Sequence, residues 1–207
     1  MGQADDMTDS VTMGGHHRHL MGTRAYRLVT ARLIAPWALQ GTHPQGKVLE
    51  IGAGVGAMAQ HLLTATPDLH MVVTDFDPEM VAMASQSLER FGSRVRAQEA
   101  DANHLPFADD SFDFVLSFLM LHHTGDWQQT VREAVRVLQP GGSFVGFDLL
   151  AGAPLHQPKR FEALLKRGQL REFLPTLPVA EVRVRPGIAN MVERFVARKR
   201  GAERKEA

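Results

Sequence analysis

The segment Val48-Leu-Glu-Ile-Gly-Ala-Gly-Val-Gly56 constrains this chain more than any other. It reads as a short buried strand, a glycine turn and the start of a helix. Alternating glycines let the backbone turn sharply and lie close to a ligand. A second apolar strand, Met71-Val-Val-Thr74, ends at Asp75. That spacing, about twenty residues beyond the first glycine, is the one at which an acid meets a ribose. The arrangement predicts a site for an adenosine-bearing cofactor.

The rest of the chain keeps the same alternation. Strands are predicted at 47–51, 70–74, 94–99, 112–117 and 143–149, and helices at 56–64, 78–91 and 127–138. Asp77 can cap the second helix, with Pro78 in its first turn. Pro140-Gly-Gly142 ends the third. Segments 179–184 and 191–197 read as an antiparallel strand pair joined at Pro186-Gly187. The expected class is α/β, a doubly wound, mostly parallel seven-stranded sheet with an antiparallel C-terminal pair. Polar alternation puts 94–99 at an edge.

One domain accounts for the length: 207 residues, 44% apolar. Residues 1–22 read as a loosely attached segment and 23–198 as the domain. Its first element, 23–35, is an amphipathic helix capped by Thr23 and stopped at Pro36. The 23–39 stretch, with Tyr26, Leu33 and Trp37, is a candidate lid over the site. A basic helix is expected at 158–170 and a basic tail at 199–207. No apolar run reaches the ~18 residues of a membrane span. The first residues lack a secretory signal, so the expected location is cytoplasmic.

There is no cysteine, which excludes disulfides, thiolate metal sites and cysteine nucleophiles. The net charge of zero hides an asymmetry. Residues 1–150 carry 10 basic and 17 acidic residues, and residues 151–207 carry 13 and 6. Arg160, Lys166, Arg167 and Arg171 in the basic third hint at an anionic acceptor. His16-His-Arg-His19 has no adjacent acid, so no metal site is assigned there.

Gly52, Gly54 and Ala57 also satisfy the relaxed dinucleotide fingerprint, which keeps an NAD-dependent oxidoreductase in play. Three features favour another cofactor. Glu50 lies just before the turn, where a pyrophosphate would be repelled and a cationic amino acid attracted. Gly52, Gly54 and Gly56 alternate without a phosphate to cradle. Asp101 stands after the third strand, placed to accept from an adenine amino group.

Taken together, Val48–Gly56, Val73–Met80, Asp101–Ser117, Leu121-His122-His123 and Val137-Leu-Gln-Pro-Gly-Gly-Ser143 resemble the class I S-adenosylmethionine-dependent methyltransferases. The likeness is to the small-molecule group with an LPF-x-D-x-SFD-x-V segment. It implies the Rossmann-like methyltransferase fold, S-adenosylmethionine as cofactor and S-adenosylhomocysteine as product. It implies that Glu50, Gly52, Ala53, Gly54 and Gly56 surround the methionine end, and that Asp75 binds the ribose. By the same likeness Phe76 lies against the adenine, Asp101 and Ala102 read its edge, and Ser117 flanks the sulfonium.

An acceptor that loses a proton needs a base, and His122 and His123, just after the fourth strand, are the candidates. The Asp/Asn-Pro-Pro-aromatic signature of base-methylating enzymes is missing after Ser117, and no RNA-binding appendage is visible. A small-molecule acceptor is therefore expected and a nucleic acid is not. The fold also serves as a binding module, so a non-catalytic cofactor-binding protein is a second expectation.

Overall fold

The computed structural model describes residues 28–151, 165–187 and 190–201. Seven strands form one sheet: β1 (Lys47–Ile51), β2 (His70–Asp75), β3 (Val95–Glu99), β4 (Phe112–Phe118), β5 (Leu138–Leu149), β6 (Val179–Gly187) and β7 (Val192–Lys199). Their order is β3-β2-β1-β4-β5-β7-β6. The first five are parallel, while β7 runs antiparallel to both β5 and β6. The expected fold class is therefore the observed one, with β3 at one edge.

The order reverses between β1 and β4, each of which leads to the next elements in opposite directions. A crevice opens at such a switch point, outside the carboxyl ends of the strands. Ile51 pairs with Ser117 there, so the glycine turn after β1 and the end of β4 form its two banks.

Helices cover both faces. On one face α2 (Ala57–Ala65) buries Met58, Leu62 and Leu63 against Val48, Met71, Val73 and Leu116. On the other face α4 (Trp127–Val137) buries Trp127, Val131 and Val135 against Leu49, Val115 and Phe144. Beside α2 on the first face lies α3 (Pro78–Leu88), with Ala84 and Leu88 in the same cluster. It is capped as expected by the Asp77 side chain, which accepts from the Glu79 amide at 2.9 Å.

Pro36 does not stop the first helix. A π-turn at Thr30–Ile34 runs into α1 (Ala35–Leu39), with Pro36 inside its first turn. The Ala35 amide donates to Thr30 five residues back. That widened turn admits a residue with no N–H of its own. Ala35 and Ala38 are fully buried against the α2 side of the sheet, and Trp37 stands edge-on to Phe147 at 4.9 Å. The described part of the candidate lid therefore packs on the sheet, while Leu28 and Leu33 face outward.

Three expectations near the C-terminus are corrected. Residues 165–168 are not helical, and the helix there, α5, is only Gln169–Phe173. Gly168 sits at φ +86° before it, a break that only glycine takes cheaply. The strand expected at 143–149 starts earlier, at Leu138, which already has extended backbone directly after the third helix, found as expected and ending at Val137. Lys199 belongs to β7, not to a tail. Its Nζ donates to the carbonyls of Leu138 and Arg136 at 2.7 and 3.0 Å and pairs with Asp110 at 2.8 Å. The 1–22 segment, the His16–His19 cluster, Thr23, Tyr26 and Arg160 lie outside the described residues. Among the described residues no helix is long and apolar enough to cross a membrane.

Candidate functional site

The glycine turn is built from three left-handed residues: Gly52 at φ +66°, Gly54 at +53° and Gly56 at +77°. Side chains at these angles cost about 1–2 kcal/mol each. The turn is tied to the end of β2 by two bonds. Ala53 donates to the Thr74 carbonyl at 2.9 Å, and Gly54 donates to Oδ2 of Asp75 at 2.8 Å. Gly56 then donates to Ala53 at 2.9 Å and starts α2.

Asp75 also accepts from the Asp77 amide through Oδ1 at 3.1 Å. Burial raises its pKa, and the amides of Asp77 and Gly54 pull it back. Next to it, Phe76 is 46% exposed. The two residues present a carboxylate and an aromatic face at the same strand end.

Glu50 lies inside the sheet, between Val73 of β2 and Leu116 of β4. It is 3% exposed, and among the described residues its Oε2 has no hydrogen-bond partner. Burial pushes its pKa up to about 8, against a backbone hydrogen bond at Ala59, with the charge of Asp75 adding to the rise. An unpaired buried carboxyl group of this kind is costly unless a ligand answers it.

Asp101 follows the carboxyl end of β3. One oxygen accepts from the Asn103 amide at 2.8 Å, and the other lies 3.1 Å from Nδ1 of His104. It thus shapes its own turn, and Ala102 beside it is buried. Ser117 is fully buried, and its Oγ has no hydrogen-bond partner among the described residues. Its backbone is packed tightly, since a Cβ on Gly146 of β5 would stand 2.1 Å from the Ser117 carbonyl oxygen.

Two participants carried no motif in the sequence. Met120 lies on the glycine turn: a Cβ added to Gly52 would meet its Cγ at 2.1 Å. Asp148, at the end of β5, is completely buried and gathers four groups. Oδ2 accepts from the amides of Met120 and Leu121 at 2.9 and 2.6 Å. Oδ1 accepts from Leu149 at 2.7 Å and faces Nδ1 of His122 at 2.5 Å. A lone aspartate inside Phe147-Asp148-Leu149-Leu150, an otherwise apolar strand end, is the signal that could have found it.

His122 is buried with Asp148, and the His123 ring stacks on it at 4.1 Å. Both candidate bases therefore lie at the carboxyl ends of β4 and β5, on the bank opposite Glu50. Arg167 and Arg171, by contrast, reach the carbonyls of Asn190 and Val184 at 3.2 and 2.7 Å. Each has a local backbone role, so the hint of an anionic acceptor loses that support. Among the described residues no cluster of His, Cys, Asp and Glu could hold a metal ion.

Residues 49–146 match the methyltransferase domain family. A demethylmenaquinone methyltransferase of Thermus thermophilus is 35% identical over 131 residues, 63% of this chain and 57% of that protein. The uncharacterized methyltransferase YcgJ of Bacillus subtilis is 39% identical over 104 residues, 49% of this chain and 40% of that one. The chain spans about half the length of the curated relatives it matches. A solved structure of a SAM-dependent methyltransferase from Aquifex aeolicus shares the fold with a TM-score of 0.72 at 17% identity, covering 90% of this chain and 99% of that one.

Proposed function

Residues 49–146 belong to the methyltransferase domain family, and from that premise we propose that this chain moves the methyl group of S-adenosylmethionine to a small-molecule acceptor. The observation that carries the reading is the buried, unpartnered Oε2 of Glu50 beside a glycine turn tied to Asp75. A cationic amino-acid tail answers that oxygen and favours its ionised form, whereas a pyrophosphate brings no donor to it and opposes its ionisation. The residues fit the cofactor at its other end too: Asp75 for the ribose hydroxyls and exposed Phe76 for the adenine face. Asp101 and Ala102 are assigned to the adenine edge, and Ser117, at the end of β4, to the sulfonium.

When bound, the cofactor supplies a methyl group already activated by its positive sulfur. The protein's contribution is therefore placement, exclusion of water and proton removal. Glu50, Gly52, Ala53, Gly54 and Gly56 orient the methionine end. Met120 closes the face of Gly52. His122 takes the acceptor's proton where the acceptor atom carries one, and His123 backs it by stacking.

Calorimetric titration with S-adenosylhomocysteine, with NAD in parallel, tests the reading. Micromolar binding of the first and none of the second is expected. NAD binding alone would return the dinucleotide reading. Tight S-adenosylhomocysteine binding with no methyl transfer across a panel of phenols, quinols and amines would leave a cofactor-binding module instead.

A further inference from the structure

Leu119 goes against two ordinary preferences at once. Its backbone is left-handed, at φ +54°. A side chain with a Cβ is disfavoured there, and leucine has no polar group to offset the strain. Among the described residues the other non-glycine left-handed positions are Gln40, Asp110 and Asn190, all polar. Leu119 is also 40% exposed, which leaves apolar surface in water. Asparagine or glycine would take this backbone with less strain and expose less apolar area. The turn itself therefore gives no reason for a leucine, and a strained residue that its own turn does not call for points to a ligand.

The place of Leu119 supplies the reason. It directly follows β4, whose carboxyl end is one bank of the crevice. Its amide donates to the Phe147 carbonyl of β5 at 2.9 Å, which pins the strained backbone. Its two neighbours go to opposite faces of the sheet. Phe118 joins the α2-side cluster, where its ring lies 5.7 Å from Phe147, and Trp37 stands on the same Phe147. Met120 joins the α4-side cluster and rests on Gly52. Leu119 is left at the strand ends, between the glycine turn and an aromatic group. Of the exposed large apolar side chains among the described residues, only Phe76 and Leu119 stand at strand ends, and Phe76 is assigned to the adenine. The carboxylate at the end of β5, Asp148, is fully buried and taken up by the amides of Met120, Leu121 and Leu149. It offers no free charge to what enters beside the cofactor.

We propose that Leu119 is a specificity-determining residue of the acceptor site, and that the acceptor lays an apolar body against it rather than a charged or sugar-like one. Covering the rest of the leucine surface gives such an acceptor binding that a polar molecule does not gain. This rests on the methyl-transfer reading above.

The test compares phenol with 2-naphthol, which carry the same hydroxyl and differ by one apolar ring. Both are titrated calorimetrically into the full chain saturated with S-adenosylhomocysteine. The wild type is expected to bind 2-naphthol about tenfold tighter than phenol, the gain from covering the second ring. Leu119→Asn is expected to cut that ratio to about threefold or less, and Leu119→Met, still apolar, to keep it. In wild-type protein with 13C-labelled leucine methyls, 2-naphthol is expected to shift the Leu119 signals, assigned with Leu119→Asn. Equal binding of the two phenols by the wild type overturns the proposal, and that result needs no variant to fold. A ratio unchanged in Leu119→Asn, or Leu119 signals unmoved by bound 2-naphthol, does the same. Where S-adenosylhomocysteine binds and any of these results follows, only this proposal falls. No binding of S-adenosylhomocysteine overturns the methyl-transfer reading, and this proposal with it.

Discussion

The amide of Gly54 donates to Oδ2 of Asp75 across 2.8 Å, so the turn after β1 and the acid after β2 are one hydrogen-bonded unit. Asp75 therefore shapes the turn in addition to the ribose-binding role proposed for it. Asp75→Ala removes the acceptor of Gly54 and of Asp77 together. An unmet amide costs about 1–3 kcal/mol when buried, and the turn's partial exposure puts the expected loss near the lower end. Asp75→Asn keeps one acceptor oxygen and is expected to be the more stable of the two. Both should lose at least tenfold in S-adenosylhomocysteine affinity. Urea unfolding and calorimetry would show this, and equal affinity in wild type and Asp75→Ala would remove Asp75 from the site.

Gly52 has two separate reasons to be glycine, and they can be measured apart. Its φ of +66° disfavours a Cβ, and that Cβ would strike Met120. Gly52→Ala should cost about 2–4 kcal/mol, the sum of a left-handed residue and an overpacked contact. In a Met120→Ala background the same change should cost less, because the contact with Cγ is gone while that with the Cβ of residue 120 remains. Thermal unfolding of the four proteins in a double-mutant cycle gives the coupling. A coupling of zero would mean that the Met120 side chain does not lie on the turn.

Lys199 ties three parts of the molecule together from the end of β7. Its side chain is 14% exposed, and its ammonium meets two carbonyls at the α4–β5 junction as well as Asp110. Lys199→Met keeps the apolar stem and removes every one of those bonds. A loss of about 2 kcal/mol is expected, against the ~0–1 kcal/mol of an exposed ion pair. Denaturant unfolding checks it, and a loss below 0.5 kcal/mol would return Lys199 to the status of a surface residue.

What could be read from the sequence was whatever depends on local pattern. The β1 turn, the Asp77 cap and the parallel order follow from short-range rules about glycine, proline and apolar runs. Pro36 misled because its effect depends on the turn before it, and a π-turn removes the conflict. Lys199 misled because a basic residue near a terminus looks solvated, while its partners are about sixty residues away in the chain. The same holds for Asp148. Its partners lie 26 to 28 residues back on another strand end, and only the β4–β5 register brings them together. Glu50, Asp75 and His122 stood in motifs, whereas Met120 and Asp148 gain meaning only through contact.

Glu50 makes stability and binding depend on pH in opposite senses. Its pKa in the folded chain is raised from an ordinary 4.5 to about 8, chiefly by burial. The folded state thus holds the proton more tightly than the unfolded chain does. The stability that comes with the proton is fully present below pH 4.5 and is lost as pH rises through about 8. Glu50→Gln has no such proton. It should gain on the wild type between pH 5 and pH 8.5 by an amount on the order of 3 kcal/mol, read as a widening gap in melting temperature. A cationic cofactor tail has the reverse preference, since it favours the carboxylate. Binding of S-adenosylhomocysteine at pH 7 should therefore expel close to one proton. Calorimetry in two buffers of different ionisation enthalpy measures that release, and Glu50→Gln should show none of it. Parallel stability–pH curves for the two proteins, with no proton release in the wild type, would mean that Glu50 is charged in the folded chain and is not the group that meets the cofactor.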